Sequence, residues 1–319
     1  MPKVSVLLTT YNGEKTVREA IESVREQDFE DYELLIGDDS STDSTPEIIE
    51  SMARGDPRTN VYLRDENVGI PENMNRLVEE ATGEILAFLE QDDYWLDTKL
   101  RTHTDRHEQA DAAVVYSDFE VENRSGKELG TVYTPDPKPA GKPLVEQLYQ
   151  HHNFIGAFCN VSMKRSTWEE IGGADTRLRV SADFDLWLRL AGRYAFEHID
   201  SVLATKRVHD RNQSSNHAVK YADNRLILSE SLSRYPYLRK KEKKIRSELL
   251  YQYANGAFHD GNASQGCYRS LQSLTYAPTF RAVAIAVLSS LDAITGGINL
   301  GTRIYEVLSR SDRTQLGWP

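Results

Sequence analysis

The sequence predicts an α/β fold: a mixed, mostly parallel sheet flanked by helices, with a helical C-terminal extension. Three observations predict it. Short apolar, β-branched runs alternate with amphipathic segments of helical period from residue 3 to about 120, the pattern of strands buried on both faces. Polar clusters follow directly on several of those runs. From residue 219 onward the pattern turns helical.

In chain order, VSVLLTT (4–10) reads as the first strand. The opening MPKVSVLLTT lacks the apolar run and small-residue cleavage site of a signal peptide. EKTVREAIESVREQ (14–27) is amphipathic at helical period, and YELLIGDD (32–39) is the second strand. STPEIIESMAR (44–54) is the next helix, with Thr45 as N-cap and Pro46 at the first helical position. NVYLRD (60–65) is a strand, IPENMNRLVEEAT (70–82) a helix and EILAFLE (84–90) a strand. A helix near 96–109 precedes the strand AAVVYSDFEVEN (112–123), after which the Pro/Gly-rich TPDPKPAGKP (134–143) crosses to a second half. There FCNVSMKRS (158–166) reads as a strand, and ADFDLWLRLAGR (182–193) as a helix opening on two acids. Farther on, RKKEKKIR (239–246) is a solvated helix face, and residues 249–279 form a helical hairpin turned at HDGN.

Net charge is −11, from 49 acidic and 38 basic residues. That balance argues against broad-surface nucleic-acid binding, which relies on basic patches. Two cysteines are too few for a disulfide scaffold and point to a reducing cytoplasm. No uninterrupted apolar run reaches the roughly 18 residues of a membrane span.

In open α/β sheets, ligands bind beyond the carboxyl ends of the strands. Thr10-Tyr11-Asn12, Asp38-Asp39 and Glu90-Gln91-Asp92-Asp93 all fall there and converge on one rim. The acids of IGDDSSTDST (36–45) fit a capped turn as well as a contact to the N3–H of uracil or another base edge. The acids of EQDDYW sit directly behind a buried strand and repel one another unless a positive charge intervenes. Mg²⁺ or Mn²⁺, held by one or two carboxylates plus phosphate oxygens, would supply it. Asp183 and Asp185 open a helix, where acids complement the dipole by only ~0.3–1 kcal/mol. His209, between Arg207 and Arg211, would in isolation be an ordinary surface or core histidine.

Taken together, the segments VSVLLTTYNG, DDSSTD, ENVGIPENMNR, GEILAFLEQDDYW, NFIGAFCNVSMKRSTWEEIGG, ADFDLWLRLA and RVHDRNQSS give a chain that resembles the family 2 glycosyltransferases of the GT-A fold. They span about residues 3 to 216. The resemblance implies a catalytic domain over 1–216, with a nucleotide-binding half (1–110) and an acceptor-binding half (111–216), followed by a helical region over 217–319. It implies that Thr10, Tyr11 and Asn12 line the nucleobase and ribose pocket, that Asp39 contacts the base, and that Asn67 and Arg76 help close the site. Glu90-Gln91-Asp92 occupies the family's D-x-D, with Asp92 as metal ligand and Asp93 supporting it. His209 matches a further metal or diphosphate contact, and Arg207 and Arg211 are placed to hold phosphate oxygens. Asp183 matches the base that deprotonates the acceptor hydroxyl.

Two positions depart from the family pattern. Glu90 replaces the usual first Asp and is one methylene longer, which changes its reach. Ala182 stands where many members have Glu, which bears on acceptor specificity. The implied activity is inverting transfer from a nucleotide sugar, with UDP favoured and GDP or dTDP compatible, to a glycan, polysaccharide or lipid-linked acceptor. A sugar-phosphate nucleotidyltransferase and a degenerate sugar-binding protein of the same fold are the alternatives. The apolar stretch 278–308 is expected either to pack on the catalytic domain or to touch a membrane surface.

Overall fold

Val4–Thr10 forms β1 in the computed structural model, which describes residues 1–151, 153–208, 216–260, 262–277 and 280–294, and all seven of its residues are buried. Burial on both faces is the setting of a central parallel strand. The strand is flanked by β2 (Tyr32–Asp38) and, farther along the chain, β4 (Ile85–Glu90), both parallel to it. Val4 lies opposite Tyr32 on one side and Ile85 on the other. β3 (Thr59–Leu63) extends the parallel run beyond β2. The connecting helices are α1 (Val17–Arg25), α2 (Thr45–Ala53) and α3 (Ile70–Glu80). The helical spacing of Val17, Ala20, Ile21 and Val24 puts all four into one core with Val4, Val6, Leu8, Leu34 and Ile36. Each of the larger aliphatics buried there contributes roughly 1.5–3 kcal/mol.

The second half adds β5 (Tyr94–Trp95), α4 (Lys99–Ala110), β6 (Val114–Asn123), β7 (Glu128–Val132), α5 (Lys142–Gln150), β8 (Val161–Lys164), α6 (Arg165–Ile171), α7 (Ala182–Ala191) and β9 (Phe196–Val208). The sheet runs β3-β2-β1-β4-β8-β6-β9-β5, with β7 paired to β6. β8 is antiparallel to both β4 and β6, whereas β9 is parallel to β6 and antiparallel to β5. Leu186, Trp187, Leu190 and Ala191 of α7 are all fully buried, as their spacing predicts.

Two local expectations change. Ser44, not Thr45, is the N-cap of α2; the Thr45 hydroxyl instead accepts from Gly13 N at 2.8 Å and donates to Asp43. The segment expected as a strand over 158–166 splits into a 3-10 turn (Phe158–Asn160), β8, and the start of α6.

The described residues fall into two compact units, the second beginning with the helices that follow β9. It contains α8 (His217–Arg234), α9 (Glu242–His259), α10 (Ala263–Tyr276) and α11 (Phe280–Ile294). The α9–α10 hairpin turns where HDGN predicts. Within this unit Ile285 and Leu288 of α11 pack on Ala254 and Phe258 of α9, so the described part of the 278–308 stretch has an apolar partner of its own. No described helix is long and apolar enough to cross a membrane.

Candidate active site

The loops leaving β1 and β2 are zipped together. Asn12, in the left-handed region at φ 51°, donates its backbone N–H to Ser41 Oγ at 2.8 Å and accepts from Thr42 N at 2.8 Å. Asn tolerates that conformation better than most residues. Asp38 is buried and closes its own turn, accepting from Ser41 N at 2.9 Å and Ser41 Oγ at 2.6 Å; burial raises its pKa. Asp39 reaches the other way and accepts from Val68 N and Gly69 N, both at 2.8 Å. Gly69 holds φ +86°, which lets its N–H face that carboxylate. Each Asp39 oxygen keeps acceptor capacity for a ligand.

The rim is joined to the end of β4 by Gln91. Its Oε1 accepts from Thr10 Oγ1 at 2.6 Å and Tyr11 N at 2.7 Å, and its Nε2 donates to Tyr11 O at 3.0 Å. Gly13 leaves room for it: a Cβ there would lie 2.3 Å from Gln91 Oε1, so the amide would have to shift. The middle residue of Glu-Gln-Asp is thus the fastener of the nucleotide-side loop.

The acids at the end of β4 have unequal surroundings. Asp92 is half-buried. Asp93 is 2% exposed; its Oδ1 accepts from Arg207 N at 2.9 Å, and its Oδ2 is buried without a hydrogen-bond partner. Burial pushes Asp93 up to about 8, against the pull of Lys206. Burial also raises Glu90, which Lys206 lowers and the charges of Asp92 and Asp183 raise again. Lys206 Nζ stands 3.7 Å from Glu90 Oε2. Burial opposes the lysine's charge, yet Asp93 and Glu90 hold its pKa above the ordinary lysine value.

Arg207, one residue on, has a different environment. Its guanidinium donates to Glu122 Oε1 at 2.8 Å from Nε and to Glu19 Oε2 at 2.9 Å from Nη1, and lies 5.5 Å from the Tyr94 ring centroid. Successive β9 side chains point to opposite faces. The arginine expected at phosphate oxygens is therefore engaged by carboxylates, and its lysine neighbour faces the acids of the rim.

Asp183 lies in the first turn of α7, half-buried. Its Oδ2 accepts from Asn153 Nδ2 at 2.8 Å and its Oδ1 from Phe184 N at 2.7 Å. Asp185, in the same turn, is buried and bonded to Arg189 at 2.7 Å; Arg189 also donates to the carbonyls of Ile171 and Gly173. The second acid of the pair is thus a structural anchor of α7.

The structure brings Thr10, Tyr11, Asn12 and Asp39 together through the zipped loops, and sets Asp92 and Asp93 directly behind Glu90, whose carboxyl pKa the charges of Asp92 and Asp183 raise. Asn67 is exposed in the loop before α3, and Arg76 pairs with Glu72 along α3 at 2.8 Å. His209 and Arg211 lie outside the described residues. Sequence reasoning missed Lys206, Asn153 and the fastening role of Gln91. Asn153 was visible only as part of NFIGAF, and no spacing marked the lysine.

The donor set fits a hard divalent cation at one carboxylate. Half-buried Asp92 would offer the oxygen ligand, and phosphates and water complete such sites. Asp93, buried and favouring its protonated form, fits a supporting position beneath it better than a ligand's. Among the described residues no three His, Cys, Asp or Glu side chains form a closed ligand cluster.

Residues 5–172, more than half of the chain, match the family model for glycosyl transferase family 2. The uncharacterized glycosyltransferase RT0329 of Rickettsia typhi is 29% identical over 223 residues, covering 68% of this chain and 67% of that protein. The GalNAc(5)-diNAcBac-PP-undecaprenol beta-1,3-glucosyltransferase of Campylobacter jejuni is 35% identical over 103 residues, about a third of each chain (32% and 33%). Among solved structures, S. aureus TarS 1-349 in complex with UDP-GlcNAc has a TM-score of 0.65 at 18% identity, covering 92% of both chains. Mannosyltransferase PcManGT from Pyrobaculum calidifontis, in complex with GDP-Man and Mn²⁺, has a TM-score of 0.57 at 17% identity, covering 92% of this chain and 81% of that one. At such identities the structural likeness speaks for the fold, here the GT-A arrangement. The family match covers more than half of the chain, and this chain belongs to glycosyl transferase family 2.

Proposed function

We propose that this glycosyltransferase moves a sugar from a nucleoside-diphosphate sugar, with UDP as the preferred nucleotide, to an acceptor hydroxyl with inversion at the anomeric carbon. The family match and one observation support the reading: Gln91 at the end of β4 is hydrogen-bonded to Thr10 and Tyr11 of the loop after β1, so the acids that follow β4 and the loops proposed to hold the nucleoside line one rim. Asp183, ionised and oriented by Asn153, takes the proton of the acceptor hydroxyl. The new bond joins that oxygen to the anomeric carbon as the bond to the β-phosphate oxygen breaks, and the nucleoside diphosphate departs on the opposite face. The Tyr11–Gly13 and Asp38–Thr45 loops, fastened by Gln91, hold the nucleoside, with Asp39 at the base. A divalent ion, Mn²⁺ or Mg²⁺, held by Asp92 and backed by Asp93 and His209, would neutralise charge on the leaving diphosphate.

The undecaprenol-linked acceptor in the Campylobacter relative's name supports a lipid-linked or polymeric glycan as acceptor class. The catalytic domain over 1–216 and the helical region over 217–319 follow the same reading, as does a cytoplasmic location; for 278–308 ordinary packing is the first reading and peripheral membrane contact the second. Vesicle co-sedimentation of the full chain against a truncation near residue 275 tests that contact.

The test of the function is a thermal-shift panel of nucleotide sugars with and without Mn²⁺, followed by transfer assays with the hit and determination of the product's anomeric configuration by NMR. The expected result is stabilisation by a UDP-sugar, an inverted product, and loss of transfer in Asp183→Asn with nucleotide binding retained. A retained configuration, or normal transfer by Asp183→Asn, overturns the mechanism. Pyrophosphate release from a nucleoside triphosphate and a sugar phosphate would replace it with nucleotidyl transfer.

A further inference from the structure

Lys206 on β9 pairs with Glu90 at the end of β4, the strand end from which Asp92 and Asp93 follow. Its Nζ is 3.7 Å from Glu90 Oε2, an ion-pair distance longer than a close hydrogen bond, and both side chains are about three-quarters buried (25% and 24% exposed). Arg207 is directed to the opposite face of β9, where Glu122 and Glu19 take its guanidinium donors. A dianionic diphosphate entering beside these acids meets strong repulsion unless local positive charge offsets it. Lysine is suited to offset it, because its ammonium carries three donors on a flexible stem and binds phosphate as a point charge.

We infer that Lys206, paired with Glu90 at 3.7 Å, is a diphosphate-binding residue of the donor site that exchanges that carboxylate for phosphate oxygens when a nucleoside diphosphate binds. The inference rests on the donor reading above and extends it. It also gives Glu90 a partner: the position that departs from the family's first Asp is where the longer acid meets the lysine. The charge that Lys206 brings is resident, so it acts with or without a divalent ion at Asp92.

The test uses the full chain with UDP by calorimetry, in EDTA and in Mn²⁺, and with uridine by ligand-observed NMR titration. Lys206→Met should weaken UDP by about tenfold or more in EDTA, the scale of a lost charge-assisted contact, while uridine affinity stays unchanged. Lys206→Arg should restore part of the loss. Equal losses for UDP and uridine, or no loss for either, overturn the assignment. Should Lys206→Met fail to fold, Glu90→Gln decides: removing the competing carboxylate should tighten UDP several-fold, and unchanged or weaker binding overturns the exchange. A wild type that binds no UDP, GDP or dTDP in either condition overturns the donor reading itself, and this inference with it.

Discussion

Asn153 Nδ2 donates to Asp183 Oδ2 at 2.8 Å and to Gly156 O at 3.1 Å, tying the carboxylate of α7 to the turn that follows α5. Asn153 holds φ 56° in that turn, a conformation asparagine adopts with less penalty than most residues. Its place is therefore set by backbone and side chain together. As a positioning residue, it should matter to turnover more than to binding. Asn153→Ala should lower kcat about ten- to a hundredfold, the scale of a misplaced reacting group, with nucleotide affinity unchanged. Asn153→Asp sets a like charge against Asp183 and should move the acidic limb of the pH–rate profile upward. An unchanged profile in Asn153→Asp, with full kcat in Asn153→Ala, would remove Asn153 from the site.

Two acids in one helical turn should separate cleanly on mutation. Asp185 and Arg189 are a nearly buried pair at 2.7 Å, with side chains 6% and 12% exposed. Arg189 also holds two carbonyls at the end of α6 and just past it. Removing one partner of such a pair leaves an uncompensated charge and costs about 3–5 kcal/mol. Urea unfolding should show that loss for Arg189→Met and little change for Asp183→Asn. Transfer assays on the folded fraction should show the reverse ranking.

A buried chain of bases makes stability depend on pH. Lys99 Nζ lies 3.2 Å from His103 Nε2, and Ser162 Oγ sits between His103 Nδ1 (2.8 Å) and His107 Nε2 (2.9 Å). The far side of His107 meets Ala112 O at 2.9 Å. Burial, opposed by that carbonyl, lowers His107 to about 4, and burial lowers Lys99 to about 7. Between pH 4 and the ordinary 6.5 the unfolded chain binds a proton at His107 that the native chain does not. Stability is therefore lost as pH falls through that window, on the order of 3 kcal/mol for this group. Lys99 acts in the same direction between pH 7 and 10.5, where stability rises with pH. Urea unfolding at pH 4.5 and 6.5 should give a smaller acid loss for His107→Gln than for wild type. Equal losses would assign the acid sensitivity elsewhere.

The parallel half was legible because β1, β2 and β4 are near-continuous apolar runs, each ending in the polar cluster that builds the rim. The strand β9 was not, because Glu197, His198, Asp200, Lys206 and Arg207 interrupt its apolar pattern and its place beside β6 is set by pairing distant in sequence. That omission explains the different setting of Arg207. Without the strand, the alternation that separates Arg207 from Lys206 has no anchor, and a one-residue shift exchanges the two faces. Asp39, Asp92 and Asp183 stood out because they end strands or open a helix. Asn153 did not, since its partner lies 30 residues away and nothing local advertises it.

Gln91 offers the most direct probe of how the rim is fastened. Its amide makes three hydrogen bonds to Thr10 and Tyr11, and it lies close enough to Gly13 that a Cβ there would displace it. The bonds link the end of β4 to the loop proposed to hold the nucleoside, so loosening them frees the loop without touching the sheet. Gln91→Ala should cost about 1–3 kcal/mol of stability, since it leaves partners unsatisfied, and should weaken UDP by an amount that the ordering cost of the loop sets. Gln91→Glu keeps the acceptor oxygen but loses the Nε2 donor and adds a carboxylate to a rim already rich in them. It should therefore bind UDP more weakly than Gln91→Ala at low salt, with the difference shrinking as ionic strength rises. Calorimetric titration of both variants at two salt concentrations checks the ranking. If the alanine variant binds as tightly as wild type, Gln91 fastens a loop that the nucleotide does not use.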